Sequence, residues 1–472
     1  MEIIFVIAAL AAFLWAIVFL RYAGLWGAVV AVLPIGTILG YEFFNTADVI
    51  TLDRLLLGAC VALAAIGRWW GVWRGKPWNT SDFLMACFFG VILLGTVTTD
   101  FRANNNAGLA RLLFFYFLPS FMYILARQLE ITPNRLIGMY AVMATLGLYL
   151  SFTSVAEKFG LDWAIYPKYI INSQNQEFLG RGRGPLLNPS ANGVLLTLGL
   201  SCWLMFFGYF ARFGKLLVTS VIPIFLAGIY CTMTRCVWMG GAAALGGITL
   251  ITMPKRMRMP LFACMLIGGI LVVGLNYEKL QSFKRDKNVS EAGMRESAEL
   301  RPILAYVAWQ MFLDHPIAGV GTGQYKSQAK YYLQDRSVDL PLEKVRPYVQ
   351  HNIFLSLLTE NGLLGLLPFL GLLCIWSRDA WSLWNRKAAP LPTRQMGLVF
   401  LGMLAGFIAN GMFQDVLIMQ MMNAYFFFLG GCVRNLAAEK IVAYEPWRGS
   451  QKLVTAAFQN NEARNGAAAS LS

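Results

Sequence analysis

Apolar runs of about twenty residues, the length needed to cross the hydrocarbon of a bilayer, recur along nearly the whole chain. They fall at 2–20, 22–40, 55–72, 82–99, 108–126, 136–156, 191–210, 216–233, 236–253, 259–276, 352–376, 396–413 and 416–433. A soluble fold cannot hide so many, and the composition agrees: 57% of the 472 residues are hydrophobic and 14% charged, too few charges to cover a soluble surface. The expected class is an all-α polytopic membrane protein with about 12–13 transmembrane helices. One large, partly helical extramembrane loop is expected at 277–351 within a single transmembrane domain, 1–435, followed by a mobile cytoplasmic tail, 436–472.

The net charge of +14 does not indicate nucleic acid, because basic residues recur in alternate connections along the chain. Arg68, Arg74 and Lys76, then Arg127 and Arg135, then Arg212 and Lys215, Lys255 to Arg258, Arg378 to Arg394 and the residues after Arg434 all fall on one side. That side reads as cytoplasmic by the positive-inside rule, which places the N-terminus outside. The first run is expected to be a span and not a cleaved signal, since no basic residue precedes it. In 277–350, eleven Lys and Arg face nine Asp and Glu, so no basic nucleic-acid surface forms there either. All eight cysteines lie in apolar runs without a C-x-x-C, as core residues do. A Cys231–Cys236 disulfide remains open on spacing.

The unusual polar residues collect in the opposite, outer connections. Between 157 and 190 the chain reads Gly180-Arg181-Gly182-Arg183-Gly184-Pro185, then Asn188-Pro189 at the head of an apolar run. Asn188 is a good N-cap and proline suits the first turn. A helix N-terminus facing outward beside Arg181 and Arg183 makes an anion site, with phosphate the obvious candidate; arginines contacting lipid head groups are the blander reading. Arg235 sits in a very short outer turn, where it either adds a third positive charge or snorkels beside Trp238.

Within the large loop, Ile303, Leu304, Val307, Ala308, Met311 and Phe312 share one helical face, so that helix lies on the membrane or covers a cavity. Asp314-His315-Pro316 ends it, and Gly319-Val320-Gly321-Thr322-Gly323 follows as a tight turn lacking the Lys-Ser/Thr of a nucleotide loop. His315 reads as structural. His351, the other of the two histidines, stands at the outward N-terminus of a span. The helix dipole there disfavours the imidazolium and leaves a ring nitrogen able to accept a proton, as a general base must; a capping role is the alternative. Glu360, nine residues on, lies across a straight helix and about 13 Å deeper, so its partner should be elsewhere in the bundle.

Arg183-Gly184-x-x-x-Asn188-Pro189, Thr234-Arg235-x-x-Trp238, Asp314-His315-Pro316-x-x-Gly319-Val320-Gly321-x-Gly323 and His351-Asn352-x-x-Leu355-x-x-x-x-Glu360-x-Gly362 occur in this order across roughly 90–435. This set resembles the O-antigen ligase and O-antigen polymerase superfamily. The resemblance implies a metal-independent, inverting glycosyltransferase of the bacterial inner membrane with a periplasmic site and no cofactor. Its donor would be a glycan on undecaprenyl pyrophosphate. Its acceptor would be lipid A-core, another glycan or a protein hydroxyl. Carried over, His351 is the base or acceptor-orienting group, and Arg183 with Arg181 or Arg235 binds the pyrophosphate; Asn352, Glu360 and Asn188 support them. Thr234 and Cys236 depart from the Ser and Gly common in the family, which suggests a divergent member serving an exopolysaccharide. A lipid-glycan flippase is the rival, but flippases and other transporters place ionisable groups at midplane in broken, repeated segments, and no internal repeat is visible.

Overall fold

The computed structural model describes residues 24–40, 51–71, 75–102, 108–172, 177–275, 291–334, 338–346 and 348–439. The first apolar run, residues 103–107 and the tail beyond 439 lie outside them. Every other run forms a helix: α1 Gly24–Leu39, α2 Leu52–Trp69, α3 Thr80–Val97, α4 Gly108–Gln128, α5 Pro133–Phe159, α6 Pro189–Met205, α7 Arg212–Cys231, α8 Arg235–Thr252 and α9 Lys255–Leu275. After the extramembrane α10 Glu291–Asp314 and α11 Tyr325–Tyr332 come α12 Ile353–Asn385, α13 Leu391–Gly411 and α14 Gln420–Ala438. Eight of the described helices are long and apolar enough to cross a membrane.

The centre of the bundle is α6, α13 and α14. α13 packs against α5, α6, α8, α12 and α14, while α14 lies along α4. α14 is almost wholly buried and yet not among those eight, because its polar groups face protein. The Asn435 amide donates to Ala126 O at 2.9 Å and Leu129 O at 2.7 Å, and Arg434 Nη1 pairs with Asp379 Oδ2 at 2.8 Å. A helix enclosed by other helices needs no lipid-compatible surface, so hydropathy alone understates it.

Small residues set the helix spacing, as expected where packing and not water exclusion joins helices. A Cβ built on Gly199 of α6 would lie 2.6 Å from the Gly147 Cα of α5. The alternation of connections also holds: Lys76 meets Glu439 and Gln128, Arg434 meets Asn79, and the Tyr140 hydroxyl donates to Pro392 O, all at one end. The opposite end carries His351 and the large loop. There α10 does not lie bare. Its apolar face, Ile303, Leu304, Val307, Ala308 and Met311, forms a second small core with Tyr325 and Ala329 of α11 and with Leu342 and Val345.

Substituting Gly199→Val should lower stability by about 1–3 kcal/mol through overpacking, read as a reduced thermal midpoint in detergent. An unchanged midpoint would show that α5 and α6 do not touch there.

Candidate functional site

The helix that begins beside His351 is not continuous. Gly362 sits at φ 60°, ψ −160°, so α12 breaks one residue after Asn361 and then resumes. A break inside a bundle frees backbone groups that lipid cannot satisfy. Here the Gly-rich segment after α10 satisfies them. Val320 N donates to Thr359 O and Gly321 N to Glu360 O, both at 2.9 Å, while Leu363 N and Leu364 N donate to Pro316 O and Ile317 O at 2.9 and 3.0 Å. The glycines are required by closeness: a Cβ on Gly319 would lie 2.4 Å from the Glu360 carbonyl carbon, and one on Gly362 lies 2.3 Å from Ile317 O. Thr322 completes the dock, accepting from Asn361 Nδ2 at 2.8 Å.

The break turns Glu360 inward. Its Oε2 pairs with Arg111 of α4 and accepts from Gly323 N at 2.9 Å, so one carboxylate holds both the loop and a neighbouring helix. It does not meet His351. Asp415, in the turn after α13, joins the same charge cluster and accepts from Ser356 Oγ at 2.8 Å. Burial pushes the Asp415 carboxyl up to about 6, against the pull of Arg111. Arg111 went unread in the sequence, although a lone charge inside an apolar run marks an intramembrane partner by default; Asp415 carried no such signal, since turn acids are usually solvated.

Around the docked loop, three helix N-termini meet at one end of the bundle. α6 is capped by Asn188, whose Oδ1 accepts from Ser190 N at 2.9 Å and Ala191 N at 3.1 Å. α12 is capped by Asn352, which accepts from Phe354 N at 2.9 Å and Leu355 N at 3.1 Å and donates through Nδ2 to Met412 O at 3.1 Å. α8 begins at Arg235, and its Cys236 Sγ donates to Asn410 Oδ1 of α13 at 3.2 Å. α12 and α8 therefore border the C-terminal end of α13, and each of the three helices brings a positive end.

Arg301 of α10 is a second cation that the sequence did not reveal. It lies over the Phe413 ring at 5.7 Å, and its charge reaches both His351 and Cys236. Half-buried His351 is held below its ordinary 6.5 by desolvation first and by the Arg301 cation second. The ring is therefore a neutral imidazole near pH 7. Only its position in a loop helix next to Pro302 hid Arg301, which looked like any solvated charge.

The arginines of the 157–190 segment divide by role. Arg183 is 2% exposed and faces protein: its Nε lies 3.5 Å from Glu157 Oε2, its Nη2 donates to Ile170 O at 2.6 Å, and Nη1 donates to Glu177 O. Glu157 also accepts from Gly184 N at 2.7 Å. What reads in sequence as a flexible strand is thus fastened to α5 by a buried ion pair. Arg181, also buried, donates to Thr232 O at 3.2 Å and to Thr234 Oγ1, joining the loop to the start of α8. Its charge reaches Cys236, as that of Arg301 does, and Arg301 also acts on His351, so Arg181, Arg301 and His351 are grouped around the head of α8. The disulfide left open by spacing is absent: Cys231 and Cys236 are free thiols. His315 is exposed, and its backbone carbonyl accepts from Gly319 N at 3.0 Å as the chain turns out of α10.

Fold and site together define an all-α polytopic membrane protein with a polar, cation-lined site at one end. Residues 218–370 match the family model for O-antigen ligase. That stretch runs from α7 into α12 and carries Arg235, Arg301, the docked glycine loop, His351 and Glu360. It supports membership of the O-antigen ligase and polymerase superfamily and a glycosyltransferase-like activity of that type. No curated protein matches the chain.

Removing one member of the buried pair leaves a charge without its partner. Arg111→Met should cost about 3–5 kcal/mol, measured as unfolding of the detergent-solubilised protein. The double variant Arg111→Met, Glu360→Met should recover much of that loss; an additive double would contradict direct pairing.

Proposed function

We propose that the protein transfers a glycan from undecaprenyl pyrophosphate to an acceptor hydroxyl, and that the His351 end faces the periplasm of a bacterial inner membrane. The observation that carries this reading is the Arg301 cation acting on a half-buried histidine at the head of α12, with Arg181 and the head of α8 beside the same cation. The acceptor oxygen attacks the anomeric carbon from the face opposite the leaving group and forms the new glycosidic bond. The bond from that carbon to the phosphate oxygen breaks, and its electron pair leaves with the pyrophosphate. His351 takes the acceptor's proton. Arg235 and Arg301, with Arg181 and the positive N-terminal end of α8, stabilise the departing charge where it develops. A single displacement inverts the anomeric centre. Pyrophosphate brings its own activation, so cations on one side and a base on the other suffice.

The orientation follows from the basic residues gathered at the opposite end, which belong in the cytoplasm. A broken span is also a feature of transporters, whose breaks form the substrate site at midplane. Here the break is filled by residues 316–323, and the open polar groups lie at one end, which favours transfer over transport.

In vitro transfer from undecaprenyl-pyrophosphate glycan to lipid A-core, glycan and protein acceptors, without added metal or nucleotide, tests the proposal. A folded His351→Ala should lose about 10²–10⁴-fold in rate, the usual share of a general base. The acid limb of the wild-type rate should fall below the ordinary histidine range, because burial and Arg301 both disfavour the imidazolium. Arg301→Gln removes the second cause and should move that limb upward. Full activity of His351→Ala would remove the base assignment, and movement of glycolipid between leaflets without transfer would replace the enzyme by a flippase.

A further inference from the structure

At the end of the bundle opposite His351, α4 forms a ridge between two cavities that share one mouth. The first, about 250 Å³, runs between α3 and α4 and is lined by Met85, Ala86, Phe89 and Phe117. The second, about 350 Å³, runs between α2 and α4 and is lined by Ala64, Ala65 and Leu125. Lys76, Trp78, Phe121, Ile124 and Gln128 border both, so Phe121 and Ile124 of α4 part the two channels while Lys76 and Trp78 stand over them. The mouth is polar and the channels are apolar.

The charges at the mouth do not cancel. Arg127 is held by Asp82, its Nε and Nη2 each 3.0 Å from a carboxylate oxygen, and the Lys76 ammonium reaches Glu439 at 3.3 Å and Asn435. Arg68 borders the second cavity as an exposed residue and makes no ion pair or hydrogen bond among the described residues. Among the described residues its positive charge is left over. Trp78 is 65% exposed and Trp69 86%, the placement of tryptophans at the level of lipid head groups.

We infer that this mouth and its two channels form a binding site for one anionic diacyl phospholipid, its phosphate at Arg68 and Lys76 and its two acyl chains on either side of the Phe121–Ile124 ridge. Two channels with one head suit two chains on one glycerol; a single-chain polyprenyl lipid fills one and leaves the other. The unmatched cation selects an anionic head over a zwitterionic one, as basic pockets between transmembrane helices do. The occupied site joins α2 to α3 and α4, and α4 carries Arg111. A bound lipid therefore stabilises the helix on which the charge cluster at the other end depends.

The test uses the full chain in neutral detergent and does not depend on transfer activity, so it can fail without the functional reading failing. Thermal midpoints and native mass spectra are recorded with dioleoyl phosphatidylglycerol or dioleoyl phosphatidylcholine added. Phosphatidylglycerol should raise the midpoint and remain bound one per chain, with phosphatidylcholine markedly weaker. Arg68→Gln should bind phosphatidylglycerol about fivefold more weakly, the equivalent of ~1 kcal/mol for one basic residue at a membrane surface. Ala86→Trp, a lipid-facing change that fills the first channel, should also reduce binding while the midpoint without lipid holds. Equal effects of the two lipids, or unchanged phosphatidylglycerol binding by both variants, would overturn the site and leave an ordinary annular lipid. Retention of an undecaprenyl lipid in place of phosphatidylglycerol would overturn the diacyl assignment.

Discussion

A break in a membrane-spanning helix can persist only if something other than water meets its freed backbone groups, and the functional end of this protein is built on that condition. Residues 316–321 hydrogen-bond to both sides of the break in α12, and Glu360, turned inward by it, pairs with Arg111 and accepts from Gly323 N. A buried pair of this kind is a weak contributor to net stability but a strong penalty against any arrangement that separates it. Its effect is to fix one geometry. The large loop is thereby tied to α4 and α12 at the end where α12 begins with His351.

The same fastening explains why the cations come from separate elements. Arg301 arrives on α10, held over α12 by the small core of Leu304, Val307 and Met311, while Arg235 arrives at the head of α8. Arg183 spends its whole guanidinium on Glu157 and two carbonyls, which fixes the segment that delivers Asn188 to the head of α6. One group of charges therefore holds the scaffold, while Arg301 acts on His351.

The transmembrane class was legible because hydrocarbon imposes a length and a composition that few other constraints imitate, and twelve apolar runs do form helices. The caps Asn188 and Asn352 were equally legible, being local chemistry. The role of Arg183 was not, because Glu157 lies on the preceding helix and sequence shows the charge without its partner. The glycines of 319–323 read as a turn for the same reason: the backbone they press against follows some forty residues later, at a break that only Gly362 hinted at. Arg301 was hidden by a helix that looked surface-bound until α11 and the 342–345 turn covered its apolar face.

On the proposed function, docking of the loop at the break places His351 for chemistry and leaves donor binding to the cations on other helices. Steady-state transfer by a folded Gly319→Ala protein is the most direct measurement, since the added methyl would lie 2.4 Å from the Glu360 carbonyl carbon and must lift the loop. A large fall in kcat with donor KM little changed is the expected result. Wild-type kcat in that variant, or a loss confined to donor KM, would contradict it.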